Sequence, residues 1–145
     1  MGENMAVRKG DQDQGKLKVI EASKNLCKYT YERVKSNAFP KADRWIMPKS
    51  IWDEVRAAHT KIIRANAIRA ETVEEAQQRI LLEKEAIGHL DAAISLIDIC
   101  NVLGQISDDR AAFWTKLATE TQILCKAWLK SNRTAFKDKD LYRPD

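Results

Sequence analysis

Apolar residues recur every three or four positions along most of this chain, and no strand pair or hairpin turn signal competes. That period lets an α-helix turn one face to a core. It predicts a first helix over 16–36, with Leu17, Ile20, Cys27, Tyr31 and Val34 on one side. A second over 48–70 points Ile51, Val55, Ala58, Ile62 and Ala65 inward. A third spans 73–103, and a fourth over 109–132 carries Phe113, Leu117, Thr121, Leu124 and Trp128. Local chemistry sets the boundaries. Asn37 and Pro40 break the chain after the first helix, Pro48 suits a first helical turn, and Thr72 with Glu75 forms a capping box. Gly104 is placed as a left-handed C-terminal cap, and Ser107 with Asp108 opens the fourth helix. The short links after the second and third helices favour antiparallel neighbours. The predicted fold is therefore all-α, an antiparallel up-down-up-down four-helix bundle over 16–133. Residues 1–15 read as a flexible polar N-terminal tail and 134–145 as a C-terminal tail.

The third helix departs from the single-stripe pattern. Its segment AIGHLDAAISLIDICNVL, residues 86–103, is apolar almost all the way round. Ile87, Leu90, Ile94, Ile97 and Asn101 would face the core, yet Leu96, Ile99, Val102 and Leu103 fall outside that stripe. Asp91 and Asp98 are its only acidic breaks. A helix hydrophobic on most faces is buried centrally or against another chain. Leu96, Ile99, Val102 and Leu103 are thus the expected oligomer interface. Asn66 and Asn101 lie near inner stripes, where each needs a hydrogen-bond partner, and a buried amide at position 66 could also fix register.

Composition adds bounds to this picture. At 145 residues, with 44% hydrophobic and 32% charged, the chain fits one globular domain. Cys27, Cys100 and Cys125 are odd in number and each has apolar neighbours, which points to buried thiols in a reducing compartment. No run of 18 apolar residues occurs and the first residues lack a signal-peptide core, so the expectation is a cytoplasmic protein without a membrane partner. The net charge of +4 is uneven: +4 over 1–48, +3 over 49–70, −5 over 71–106 and +2 over 107–145. Such asymmetry can steer a polyanion or set register between subunits, although charges that merely solvate helix faces give a similar count.

Material for catalysis is poor. His59 and His89 follow Arg56 and Ala86 at three residues, not the glutamates of a di-iron bundle. Glu85 and His89 share only the common i, i+4 spacing. There is no CxxC, no phosphate-cradling glycine loop and no GxSxG. No enzyme activity, catalytic residue, metal site or cofactor is predicted. Basic positions on three helices offer phosphate or partner contacts: Lys24, Lys28 and Arg33, then Arg56, Lys61 and Arg64, then Lys126, Lys130 and Arg133. Trp45, Trp52, Trp114 and Trp128 fall on or beside apolar stripes, where core or subunit contact is expected over base stacking.

The order of elements, with FPKADRW at residues 39–45, resembles the FPK-x-x-R signature of small bacterial four-helix-bundle proteins. That group includes the accessory variability determinant (Avd) proteins of diversity-generating retroelements and the proteins encoded in 23S rRNA intervening sequences. Ala65-Asn66, the run from Ile97 through Leu103-Gly104 to Ile106-Ser107, and Arg110, Trp114, Leu117, Glu120 and Ala127 to Lys130 also fit. The similarity covers about residues 17–132. The Gly-rich end of the second helix typical of the intervening-sequence branch is absent, since AIRAET follows Asn66, and this favours the Avd branch. The resemblance implies a non-enzymatic accessory protein: a homo-oligomer, in Avd proteins a homopentamer, that binds the retroelement's reverse transcriptase. It would contact template RNA or cDNA through a basic surface and support mutagenic reverse transcription. The alternative is a self-assembling protein of the intervening-sequence type with a structural or RNA-binding role.

Overall fold

The computed structural model describes residues 2–35 and 47–142, with side chains from residue 15 onward. The FPKADRW segment lies outside the described residues. Four helices are present and, among the described residues, no strand: α1 (Gly2–Lys35), α2 (Met47–Ala67), α3 (Val73–Val102) and α4 (Asp108–Asp138). Helices α1 and α3 each pack on α2 and α4. Contacts between neighbours run in opposite directions along the chain. Ser23 meets His59 and Cys27 meets Val55, while Glu54 meets His89 and Lys61 meets Glu85. The bundle is up-down-up-down, as the short links require.

Local chemistry bounds α3 and opens α4 where it was expected to. At the start of α3 the Thr72 hydroxyl accepts from Glu75 N at 3.2 Å, and the Glu75 carboxylate accepts from Thr72 N at 3.0 Å. Gly104 has φ +74°, and the Gly104 and Gln105 amides bond back to Asn101 O and Cys100 O, which is a Schellman ending. Asn101 finds its partners in that turn, donating to Ile106 O at 3.3 Å and Asp108 Oδ1 at 2.8 Å. Helix α2 stops at Ala67, short of the expected 70. There the Ile68 amide turns back to Ala65 O, and Arg79 Nη1 donates to Ile68 O at 3.0 Å. A carbonyl that the helix leaves orphaned is satisfied from α3. Asn66 Oδ1 has no hydrogen-bond partner among the described residues.

The core differs from the predicted stripes in how α1, α3 and α4 are rotated. On α1 the buried set is Val19, Ser23, Leu26 and Thr30, whereas Leu17 and Tyr31 are more than half exposed. Polar residues sit inside because their hydroxyls are satisfied: Ser23 Oγ donates to Ile20 O at 2.9 Å, and Thr30 Oγ1 accepts from Trp114 Nε1 at 3.0 Å. On α4, Trp114 turns inward in place of Phe113, which packs on the Tyr29 ring at 5.0 Å. On α3, Ala86, Leu90, Ala93, Ile97 and Cys100 are buried while Ile87 and Ile94 are half-buried. Small residues alternate with Leu90 and Ile97 along the buried stripe, and Ile87 and Ile94 fill its flanks.

Both expected tails carry structure. The backbone of α1 is helical from Gly2, through the segment set apart as a tail. That stretch has no Pro, and eight of its fifteen residues are Glu, Met, Ala, Arg, Lys or Gln, so a helix already packed further on can propagate into it despite three Gly. At the other end α4 runs to Asp138, and Phe136 is buried with Ala76, Ile80 and Leu129. Asp140 has φ +57°, the Leu141 amide bonds to Phe136 O at 2.7 Å, and Leu141 and Tyr142 pack on the same cluster. This second Schellman ending has an aspartate in the left-handed position and an apolar clasp after it.

In urea denaturation, Phe136→Ala should lower stability by about 3 kcal/mol, and Asp140→Gly should raise it by about 1 kcal/mol. An unchanged midpoint for Phe136→Ala would remove the last turns of α4 from the cooperative unit.

Candidate functional site

Helix pairing spreads the nine predicted basic residues around the bundle. Lys24 and Lys28 are exposed on α1, and Lys24 lies on the side facing α2, close enough to His59 to help hold its imidazole below the usual pKa, after burial. Arg56 is exposed on α2 and reaches Asp53 at 3.9 Å. By the helical repeat it shares the α1–α2 side with Lys24. Tyr31 and Trp52 meet edge to face on that same side, with centroids 6.0 Å apart. Arg33 instead stacks over Tyr29, 5.1 Å from its centroid, toward α4. Lys61 is paired with Glu85 at 2.7 Å between α2 and α3, and Arg64 is exposed on the same helix. Lys126 and Lys130 are exposed on α4, while Arg133 is half-buried and near enough to Glu83 to favour its ionised form. By the helical repeat Lys24, Lys28 and Arg56 fall on one side; the full set of nine does not form one face.

The predicted apolar interface divides. Leu96 is half-buried and packs on the core cluster that holds Leu26, Ile51, Ile97 and Trp114. Ile99, Val102 and Leu103 stay outside, at 42%, 76% and 61% exposed. They extend a seam up the outer face of α3 through Leu81, Gly88, Ala92 and Ser95. With Glu85 included the positions alternate by four and three residues from 81 to 102, the spacing of a helix–helix seam. Asp91 lies beside the seam and accepts from Gln122 Nε2 of α4.

The sequence reading missed a buried charge cluster at the other end of the bundle. Glu83 is 0% exposed. Its Oε1 accepts from Asn132 Nδ2 on α4 and faces Arg79 Nε at 3.5 Å, while its Oε2 has no hydrogen-bond partner among the described residues. The Arg79 guanidinium lies over the Trp128 ring at 5.3 Å and near Phe136 at 5.9 Å. Burial raises the Glu83 carboxyl to a pKa of about 7, against the opposing pull of Arg79, Asn132 and Arg133. Desolvation wins over the ion pair. The signal was present in the sequence, since position 83 continues the buried spacing Ala76, Ile80, Ala86, Leu90 of α3.

Burial also acts on the thiols. Burial pushes the Cys27 thiol up to about 11 and the Cys125 thiol up to about 12, with Glu83 adding to the latter. Such thiols carry little nucleophilic thiolate near neutral pH. Glu54 meets His89 Nδ1 at 2.7 Å and Ser23 meets His59 Nδ1 at 2.7 Å, in each case bridging two helices. Among the described residues no group of three His, Cys, Asp or Glu is arranged to hold a metal, and no helix is long and apolar enough to cross a membrane.

Glu83 makes stability depend on pH. Between pH 4.5 and about 7 the native protein keeps a proton that the unfolded chain has released, so stability falls as pH rises through that window and levels above it. The drop amounts to roughly 3 kcal/mol if the whole shift is realised. Glu83→Gln, which can still accept from Asn132, should abolish this slope. Parallel wild-type and variant unfolding curves from pH 4.5 to 8 would show that the carboxyl is not the titrating group.

The chain matches no family model, no curated protein and no solved structure. What it does must be read from its own surfaces.

Proposed function

We propose that this chain is a non-enzymatic, self-associating helical scaffold that acts as the accessory partner of a reverse transcriptase, as its resemblance to Avd proteins implies. One observation carries the self-association: the outer face of α3. Its upper end exposes Ile99, Val102 and Leu103 together, and its middle is lined by Gly88, Ala92 and Ser95. A Cβ added at Gly88 would meet nothing within 4 Å, so the packing of a single chain does not require glycine there. A glycine inside a helix costs about 1 kcal/mol relative to alanine. Close approach of a second helix gives that glycine a use.

Support for nucleic-acid contact lies on the α1–α2 side. By the helical repeat Lys24, Lys28 and Arg56 share that side with the exposed Tyr31 and the half-buried Trp52. Cations near exposed aromatic rings suit a single strand, which offers phosphates and base faces together. The pentameric number and the polymerase partner come from the resemblance. A self-assembling protein of the intervening-sequence type would share the α3 seam but not the polymerase.

Light scattering should give a multiple of the 16.6 kDa chain mass at micromolar concentration. Ile99→Lys or Val102→Lys should yield a helical monomer, since a charge in a dry contact is costly. Gly88→Ala should raise the stability of the isolated chain by about 0.5–1 kcal/mol while weakening association. A monomeric wild type would refute the seam. Failure to co-purify at low salt with a reverse transcriptase encoded beside this gene would refute the accessory role and leave the self-assembling alternative.

A further inference from the structure

The end of the bundle away from the Gly104 turn contains a cavity of about 280 Å³. Four cations border it, each from a different segment: Lys16 on α1, Arg69 in the α2–α3 link, Arg79 on α3 and Lys139 at the end of α4. Among the described residues no acidic side chain lines it. Elsewhere on the bundle Lys49 and Lys116 each face an acid at i+4 on their own helix, Asp53 and Glu120. The four cavity cations converge from across the chain, and Lys16, Arg69 and Lys139 form no ion pair with a described acid.

The cavity wall is built, not merely charged. Asn132 lines it at 7% exposed, with its amide fixed by the bond to Glu83. Arg79 is held by Ile68 O at 3.0 Å and by the Trp128 ring beneath it. One of its five N–H groups is used by Ile68 O and Nε faces Glu83, which leaves three without an acceptor among the described residues. A guanidinium fixed from below with donors to spare is suited to oxyanion recognition. Glu83 lies beneath both groups, and burial opposes the negative charge that would cancel theirs.

We propose that this basal cavity binds a phosphate monoester, either on a free nucleotide or at the 5′ end of a nucleic-acid strand. Four converging cations favour a dianionic group over the single charge of a carboxylate or a backbone diester. The volume lies just below the range of ligand pockets, roughly 300–1,000 Å³, so it admits a phosphate with part of the group it esterifies. The proposal does not rest on the reverse-transcriptase reading, and it uses none of the basic residues invoked there.

Calorimetric titration of the full chain with AMP at low ionic strength tests it. Saturable binding is expected, displaced by inorganic phosphate and not by adenosine. Arg69→Glu combined with Lys139→Glu should weaken AMP binding by about tenfold or more, and Lys16→Glu alone should weaken it also. Lys49→Glu with Lys116→Glu makes the same change in net charge at the far end of the bundle and should leave affinity within about twofold. Circular dichroism checks that each variant keeps its helices. Displacement of AMP by a 5′-phosphorylated RNA oligonucleotide, and not by its 5′-hydroxyl form, assigns the site to a strand end. AMP binding that neither oligonucleotide displaces assigns it to a free nucleotide. Absence of saturable AMP binding, equal competition by adenosine or by the 5′-hydroxyl strand, or equal loss in both charge-reversal pairs would overturn the proposal.

Discussion

One guanidinium joins most of what meets at the base of this bundle. Arg79 stands on α3, satisfies the last carbonyl beyond α2, faces Glu83 one turn along its own helix, and lies on the Trp128 and Phe136 rings of α4. A buried carboxylate alone would be very costly in an apolar interior. Arg79 and Asn132 make its burial tolerable, yet they do not make it favourable, because the carboxyl pKa still rises to about 7. The cluster is thus held together by packing of the rings and by geometry as much as by charge. Its placement explains two departures from the predicted fold. Helix α2 ends where Arg79 can reach its carbonyl, and α4 continues past position 132 because Phe136 completes the apolar bed around the guanidinium.

Features set by neighbours in sequence were legible, and those set by helix pairing were not. The capping box at Thr72, the left-handed Gly104 and the four helices themselves follow from spacing of a few residues. The orientation of α1 does not, because Ser23 and Thr30 are inside only by virtue of partners on α2 and α4. Phe136 continues the spacing of Trp128 and Asn132 by four, but the charged residues 137–140 hide the helix from a reading based on polarity. Glu83 was hidden by the opposite habit, that of reading a charge as solvated. For the basic residues, exposure could be anticipated and the shared face could not. The cavity draws on four segments, so no local window contains it.

The apolar excess of residues 86–103 also has a more exact form once the helix is packed. Cys100 and Ile97 belong to the core, and Leu96 packs on it. The excess shrinks to Ile99, Val102 and Leu103 at one end, with Leu81 exposed at the other. Between them the outer side of α3 is slim at Gly88, Ala92 and Ser95, while Ala86 and Ala93 flank the buried Leu90 toward the bundle axis. Small residues on the inner side let four helices converge. Small residues on the outer side do nothing for one bundle, but they let backbones of two bundles approach closely enough for dispersion to add up over the seam.

The two proposed surfaces are mechanically compatible. The seam uses the outer face of α3, whereas three of the four cations at the cavity come from α1, the α2–α3 link and the end of α4. The fourth, Arg79, is only partly exposed and belongs to the bundle interior. Association along the seam therefore leaves the basal cavity accessible and repeats it once per subunit. A phosphate site of modest affinity gains from such repetition, because a second engagement on the same strand assembly is intramolecular and is governed by effective concentration. Self-association would then act on ligand binding through geometry alone, and a monomer carrying an intact cavity would keep the intrinsic affinity while losing the avidity.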